Sequence, residues 1–558
     1  MKAFWKKYWL WCIILLLILI KQRLVTLLPL LPIYSIGEYD DLLMVRIADC
    51  LLGGNWPRQT LQLTKGIGFP VFLLAGIITG IGYSALVTLF HSIASLLMML
   101  AVRRLITNKF MQLAFFTVLL FLPAAYILMQ RVYRNSITIW QVLLVLASLF
   151  GMLLRLDDSP KRLFLWSLPG IVGLSWLFHT REDAVWCVCF AVGMLIVSLV
   201  FLVYSFSFKS KSYLVRGGIL SLPLFFLALS IAVISVLNLE RNGFCGTTFF
   251  MTGSFPRMVK NIYRISWSDS SQLPPRVAVS RKQIRDLYNY SPSMMKKRDV
   301  IEKQLDIFSS PQGNGEVENG WIFWSMLKWA DQDTLKAKDF FNTVSDELEQ
   351  AVAEGKLQTR SVMPSALMAP WKESAYPDFL RAVAKSWSRL LKSDKMYIYR
   401  GRSSEPLQGV RYLEDFTGRK FEHVSDIPNS IVLWQQFAIK VLDKVSGWYP
   451  KTAMVWNVLG LLGFLTIFVK ICSPQAYDIK LAKTIFFLLG IAAACFVLTL
   501  GIAYTHATGF HAVDPAYLAG GYPMVYVFNL TAFFAALDIV IKFFRSKSKK
   551  NSAAESDN

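Results

Sequence analysis

Long apolar runs separated by short polar connections fill the first 237 residues and return after residue 451. About 20 apolar residues are needed to cross a bilayer. Windows of that kind lie near 9–33, 83–102, 110–128, 137–154, 163–178, 184–204, 217–237, 452–470, 482–503 and 523–542. The pattern predicts an α-helical polytopic membrane protein with about ten transmembrane helices. The stretch 238–450 is far less apolar and carries helical patterns such as VSDELEQAVAEGK. It reads as a mainly helical soluble domain inserted between two spans. The expected organisation is a transmembrane module over 1–237, the inserted domain over 238–450, C-terminal transmembrane helices over 451–543 and a disordered tail over 544–558, where the chain turns polar. Lys21 and Arg23 interrupt the first span. A charge at the bilayer centre costs about 3 kcal/mol on insertion scales. Either the helix ends near Ile20 and 24–34 lies at the surface, or these side chains face the bundle interior.

Two shorter apolar stretches lie between the first and second spans, at about 40–80. At 100° per residue, Leu43, Met44, Ile47, Ala48, Cys50 and Leu51 fall on one arc of a helix over 41–52. Asp41, Arg46 and Asp49 fall on the other, so the segment reads as an amphipathic helix on the membrane surface, its apolar arc toward lipid or protein. Asp40 stands at its start, where a helix cap is the structural explanation. The following KGIGFPVFLLAGIITGIG is too short to span once its Gly and Pro residues are allowed for.

Charge fixes the expected sidedness. The chain carries a formal net charge of +22, and its basic residues concentrate in every second connection. Arg103, Arg104 and Lys109 join the second and third spans, Arg155, Lys161 and Arg162 the fourth and fifth, and Lys209, Lys211 and Arg216 the sixth and seventh. The positive-inside rule puts these connections in the cytoplasm with both termini, and 238–450 outside. This placement accounts for the charge without nucleic acid as a partner. The seven cysteines show no metal-ligand spacing. Cys50 and Cys245 are able to pair if both face an oxidising compartment.

Within this layout the chain carries Tyr39-Asp40-Asp41, then Ala48, Gly54-Asn55-Trp56, and Lys65-Gly66-Ile67-Gly68-Phe69-Pro70. The order resembles the GT-C superfamily of membrane glycosyltransferases, the class that includes protein O-mannosyltransferases and aminoarabinose transferases. In those enzymes a first span leads into an acidic pair, a small-residue and Trp motif, a basic-Pro turn and an interfacial helix. Here the second acid is Asp in place of Glu, and one proline of the later motif is present. The resemblance covers about residues 1–205. It implies a GT-C-like fold in the cytoplasmic (inner) membrane and transfer of a sugar from a polyprenyl-phosphate carrier to an acceptor glycan, lipid or protein on the extracytoplasmic face.

That chemistry needs a base for the acceptor hydroxyl and positive charge for the leaving lipid phosphate. By the resemblance, Asp40 is the general base and Asp41 orients it or shares its task. Lys65 matches the family's basic position, and its glycine neighbours let backbone approach a phosphate. Arg131 and Arg134 in QRVYRN, and Arg181 and Glu182 in HTREDAVW, lie on the side where the charge rule disfavours basic residues, which makes them candidates for binding the donor. Each has a plainer explanation: Arg181 pairs within its own turn, Arg131 reaches lipid headgroups, and Lys65 is a surface lysine. His506, His511 and Asp514 form a candidate metal set with poor helical spacing. The acidic pair is able to hold a divalent cation, though a monophosphate donor requires none. The alternatives to a transferase are a polysaccharide polymerase or ligase, a lipid or solute transporter, and a non-catalytic receptor or assembly factor.

Overall fold

A computed structural model describes residues 2–31, 41–205, 211–267, 272–309, 314–361, 369–400, 402–425, 433–473 and 478–556. Among these the chain is helical, with isolated β-bridges and no strand. The N-terminal half comprises α1 (Lys2–Thr26), α2 (Asp41–Leu52), α3 (Gly68–Thr79), α4 (Tyr83–Val102), α5 (Lys109–Leu120), α6 (Pro123–Ile127), α7 (Asn135–Leu153), α8 (Pro160–Thr180), α9 (Val185–Ser205) and α10 (Lys211–Asn242). The inserted segment holds α11 (Ser254–Arg264), α12 (Arg281–Asp286), α13 (Pro292–Lys296), α14 (Arg298–Phe308), α15 (Asn319–Leu327), α16 (Thr334–Ala353), α17 (Tyr376–Lys392) and α18 (Leu407–Thr417). The chain returns through α19 (Leu433–Cys472), α20 (Ile479–Thr508) and α21 (Gly521–Ser556).

Ten stretches among the described residues are long and apolar enough to cross a membrane, in agreement with the predicted spans. The third runs from Lys109 to Gln130 through α5, α6 and a 3-10 turn. The first ends at Thr26, not near residue 33. Its Lys21 is buried and faces the interior, with Nζ 2.5 Å from His91 Nδ1 on α4, whereas Arg23 is exposed near the helix end. The second of the two expectations for this span therefore holds for Lys21. Its partner lies 70 residues away in sequence.

Every residue of α7 is buried, and the bundle is arranged around it. Small residues allow close approach between neighbouring helices. Cβ atoms on Gly170 and Gly173 of α8 would meet Ser148 and Leu144 of α7, and those on Gly460 and Gly463 of α19 would meet Asn529 and Ala532 of α21. The helices α10 and α19 have 32 and 40 residues. At 1.5 Å per residue they are about 48 and 60 Å long, against about 30 Å of hydrocarbon. Both are therefore longer than the hydrocarbon is thick. Past the last span, α21 continues to Ser556, where a disordered tail is expected from composition.

The inserted segment is not one unit. Residues of α11 to α16 enclose their own core, with Phe249, Phe255, Ile262, Met326, Trp329 and Phe341 at its centre. In contrast, Ala382 and Leu390 of α17, Met396, Ile398, and Val410 and Leu413 of α18 belong to the core of the bundle. Composition alone averages the two parts together. The amphipathic α2 forms over the expected residues, but its apolar arc is covered by protein. Leu42, Met44, Val45 and Ala48 join the bundle core, and Tyr412 of α18 donates to Asp49 at 2.9 Å. Asp41, assigned to the polar arc, is fully buried. The second short helix, α3, ends at Gly80, whose φ of 68° is a left-handed cap. No disulfide joins Cys50 and Cys245; both are free thiols.

Candidate functional site

One end of the bundle gathers the C-terminus of α1, the start of α2, the chain before α3, the start of α7 and the turn between α8 and α9. Leu31 N–H donates to Gln130 O at 2.6 Å, and Tyr83 donates its hydroxyl to Arg131 O at 3.2 Å. These contacts fix the short segment that carries QRVYRN. Its first arginine then reaches back to α2. Arg131 Nε lies 3.0 and 2.9 Å from the two Asp41 oxygens, and its terminal nitrogen is 2.6 Å from Oδ1. The Asp41 carboxylate is wholly enclosed, whereas Arg131 is about one-third exposed at 34%. Arg131 thus pairs with a buried carboxylate on one side and keeps one edge accessible. Asp40 lies outside the described residues.

The cluster continues without a gap. Tyr133 stands between the two arginines, with Arg131 4.8 Å and Arg134 5.2 Å from its ring centroid. Cations at that distance are attracted to the ring face. Arg134 pairs with Glu182. Arg181 grips Asp183 in a fork at 2.7 and 2.6 Å and also donates to Asn135 at the start of α7. The pairing of Arg181 inside its own turn, one of the two explanations offered by sequence, is therefore present. The same guanidinium ties the turn to α7.

Lys65 is 7% exposed, and its Nζ lies 4.9 Å from the ring centroid of Trp324 on α15. Its charge is felt at Glu182. Burial alone would push the Glu182 carboxyl up, but Arg134 and Lys65 more than offset this and hold it below the usual carboxylate range. Desolvation also opposes ionisation of Asp183, although its side chain is nearly half exposed, and the Arg181 charge and hydrogen bonds outweigh it, so this carboxyl is also lowered. Glu182 and Asp183 therefore stay charged at neutral pH.

The glycines beside Lys65 serve a different purpose from the one expected. A Cβ on Gly66 would collide with the carbonyl of His179, and a Cβ on Gly68 with Thr180. Trp176 Nε1 donates to Gly68 O at 2.6 Å. The missing side chains admit the end of α8, not a phosphate. Gly66→Ala should therefore destabilise the protein by about 1–3 kcal/mol, the usual range for overpacking. A melting temperature equal to that of the parent would show that this contact can relax.

The inserted segment is tied to the chain before α3 by several hydrogen bonds. Phe249 N–H donates to Leu63 O at 2.7 Å, and Thr334 Oγ1 donates to Arg58 O at 2.5 Å. Further away, His511 Nε2 lies 2.6 Å from Arg276, and His506 Nδ1 accepts from Val513 N–H at 3.2 Å. A guanidinium thus sits where the candidate metal would be. Among the described residues no three His, Cys, Asp or Glu side chains stand together as a metal-binding group.

Of the residues singled out by sequence, Asp41, Lys65, Arg131, Arg134, Arg181 and Glu182 meet in this one cluster. Tyr133, Asn135 and Trp324 were missed. Tyr133 and Asn135 flank Arg134 within the quoted motif, so a signal was present. Trp324 comes from the inserted segment and had none. No protein-family model matches the chain significantly, and neither does any curated protein or solved structure.

Proposed function

We propose that this chain is an inverting glycosyltransferase of the GT-C type, moving a sugar from a polyprenyl-phosphate carrier to an acceptor hydroxyl. One observation carries the reading. Residues drawn from four separated motifs, at positions 41, 65, 131–135 and 181–183, form a continuous charged cluster at one end of an apolar bundle. A lipid-linked substrate presents its phosphate at that level, with its chain in the bilayer. The acceptor oxygen attacks the anomeric carbon and loses its proton to Asp40. The bond from that carbon to the phosphate oxygen breaks, and the phosphate departs with the electron pair. Arg131, Arg134 and Lys65 supply positive charge to the departing phosphate. The fork from Arg131 holds Asp41, and with it the first turn of α2.

The reading places the protein in the cytoplasmic membrane, with both termini in the cytoplasm and the inserted segment on the other face. In intact cells a cysteine at Ser159 should be shielded from an impermeant thiol reagent, and one at Lys303 should react. Labelling of Ser159→Cys with protection of Lys303→Cys would reverse the orientation and remove the site from the donor's side. Transfer itself is tested with purified protein in liposomes carrying a radiolabelled polyprenyl-phosphate sugar. Absence of sugar release from hexose and pentose donors, with a membrane extract as acceptor source, would count against the assignment.

One observation favours the second reading, a transporter. Lys21 and His91 meet inside the bundle, and ionisable residues at such depth often mark ion or substrate paths. A Lys21→Met variant that keeps full sugar transfer would confine this pair to structure.

A further inference from the structure

A cavity of about 360 Å³ lies beside the charged cluster, between the α8–α9 turn, the C-terminal part of α10 and the chain that follows it. Small-molecule sites fall between about 300 and 1,000 Å³, so it has room for one small ring, not for a chain of them. Phe178, Val185, Ile231 and Met251 give it apolar walls, and Glu182 and Thr248 are among the polar residues that line it. Glu182 presents one oxygen to Arg134, but its Oε1 is buried and makes no hydrogen bond among the described residues. Thr248 Oγ1 is in the same condition. Buried polar atoms without partners are costly and few in folded proteins.

The walls are held in place from outside. Asn238 on α10 donates to Gly246 O at 2.7 Å and accepts from Trp56 Nε1 at 2.8 Å. Gly246 packs so closely on Thr252 that no Cβ fits there. The space is thus a formed feature, not a gap left by a loose loop.

Both atoms are closed to water as the side chains stand, and a small rotation of each would bring it, within the space, to a ligand hydroxyl. Its O–H donates to the Glu182 carboxylate, and a neighbouring ligand oxygen accepts from Thr248. The apolar walls call for C–H faces on the same molecule. A phosphate is disfavoured, because Glu182 would face it with like charge. We infer that this cavity binds a single pyranose ring through Glu182 and Thr248, and that it is the sugar-holding half of the site whose phosphate-holding half is Arg131 and Arg134. The role of that ring in transfer rests on the proposed transferase reading; its binding does not.

Cys245 lines the cavity and is exposed, which makes it a reporter of occupancy. The test uses the full chain in detergent, with Cys12, Cys50, Cys189 and Cys472 changed to Ala, so that the remaining cysteines, Cys187 and Cys495, are buried. Maleimide labelling of Cys245 is followed with glucose, galactose, mannose or N-acetylglucosamine at high millimolar concentration, and with inorganic phosphate as the control. At least one sugar should slow labelling several-fold, and phosphate should not. Thr248→Val keeps the side-chain shape and removes a hydroxyl that has no partner, so it should fold normally and abolish the protection. Glu182→Gln is the second variant and should weaken it. Unchanged labelling with all four sugars, or equal protection in Thr248→Val, overturns the inference. Protection by a polyprenyl-phosphate sugar at far lower concentration than by the free sugar assigns the ring to the donor; protection by the free sugar alone assigns it to the acceptor. Protection without transfer from any donor sinks the transferase reading and keeps the cavity. Transfer without protection does the reverse.

Discussion

Arg131→Met should lower the stability of the protein by on the order of 3 kcal/mol and reduce sugar transfer to background. The first effect follows from burial. Asp41 is fully enclosed, and Arg131 forks onto it with contacts of 2.6 to 3.0 Å. Breaking a buried ion pair by removing one partner costs about 3–5 kcal/mol, because the other charge stays behind in a poor solvent. Arg131 is one-third exposed, which puts the expected value at the low end. A loss of stability alone would also reduce activity, so the single variant does not separate the two roles. Adding Asp41→Asn does. With the charge gone, the neutral amide beside the methionine should recover most of the melting temperature, while transfer stays lost. Recovery of both would make Arg131 a structural residue. An unshifted melting temperature in the single variant would show that the fork contributes little.

Asp40→Asn is expected to behave in the opposite way. Transfer from a lipid-linked donor should fall by a factor of about 10²–10⁴ with almost no change in thermal stability. Asn caps a helix nearly as well as Asp, so a capping role predicts a small effect on both measurements. A general base cannot be replaced by an amide, which does not take up the proton. Near-normal transfer in this variant would move the search for the base elsewhere, with Glu182 as the next carboxylate to examine. Glu182 is held ionised by Arg134 and Lys65 despite its burial.

The membrane-spanning pattern was legible because each span is a local property of some twenty residues. The same holds for α2 and α3, whose lengths and turn signals lie within the segments themselves. What could not be read depends on contacts between distant residues. Lys21 looked like an interruption, since its partner His91 stands on another helix. Asp41 looked solvated because the helix periodicity placed it on the polar arc; the arginine that encloses it is 90 residues away. The inserted segment looked uniform because composition does not say which core a helix joins. There α16 faces the local core and α17 the bundle. At the site, the charge rule picked out basic residues on the unexpected side, and the structure brings them together. It gave no hint that the aromatic rings of Tyr133 and Trp324 would stand between them or over them.

The enclosure of α7 has a bearing on how the protein responds to its surroundings. Helices that touch lipid answer a change in bilayer thickness by tilting or by deforming the lipid around them, at a cost of fractions of a kcal/mol per Å. That response falls here on α1, α10 and α19, whose apolar stretches are mostly outward-facing. The helix that presents Asn135 is shielded by protein along its whole length, and in the segment before it Tyr133 and Arg134 are buried while Arg131 keeps one edge exposed. Thinning or thickening the membrane should therefore rock the outer helices while the charged cluster keeps its spacing. A protein built this way can pass between thin and thick regions of a heterogeneous membrane with this cluster unstrained, and the depth at which the cluster meets the headgroups, not its shape, becomes the variable that the membrane controls.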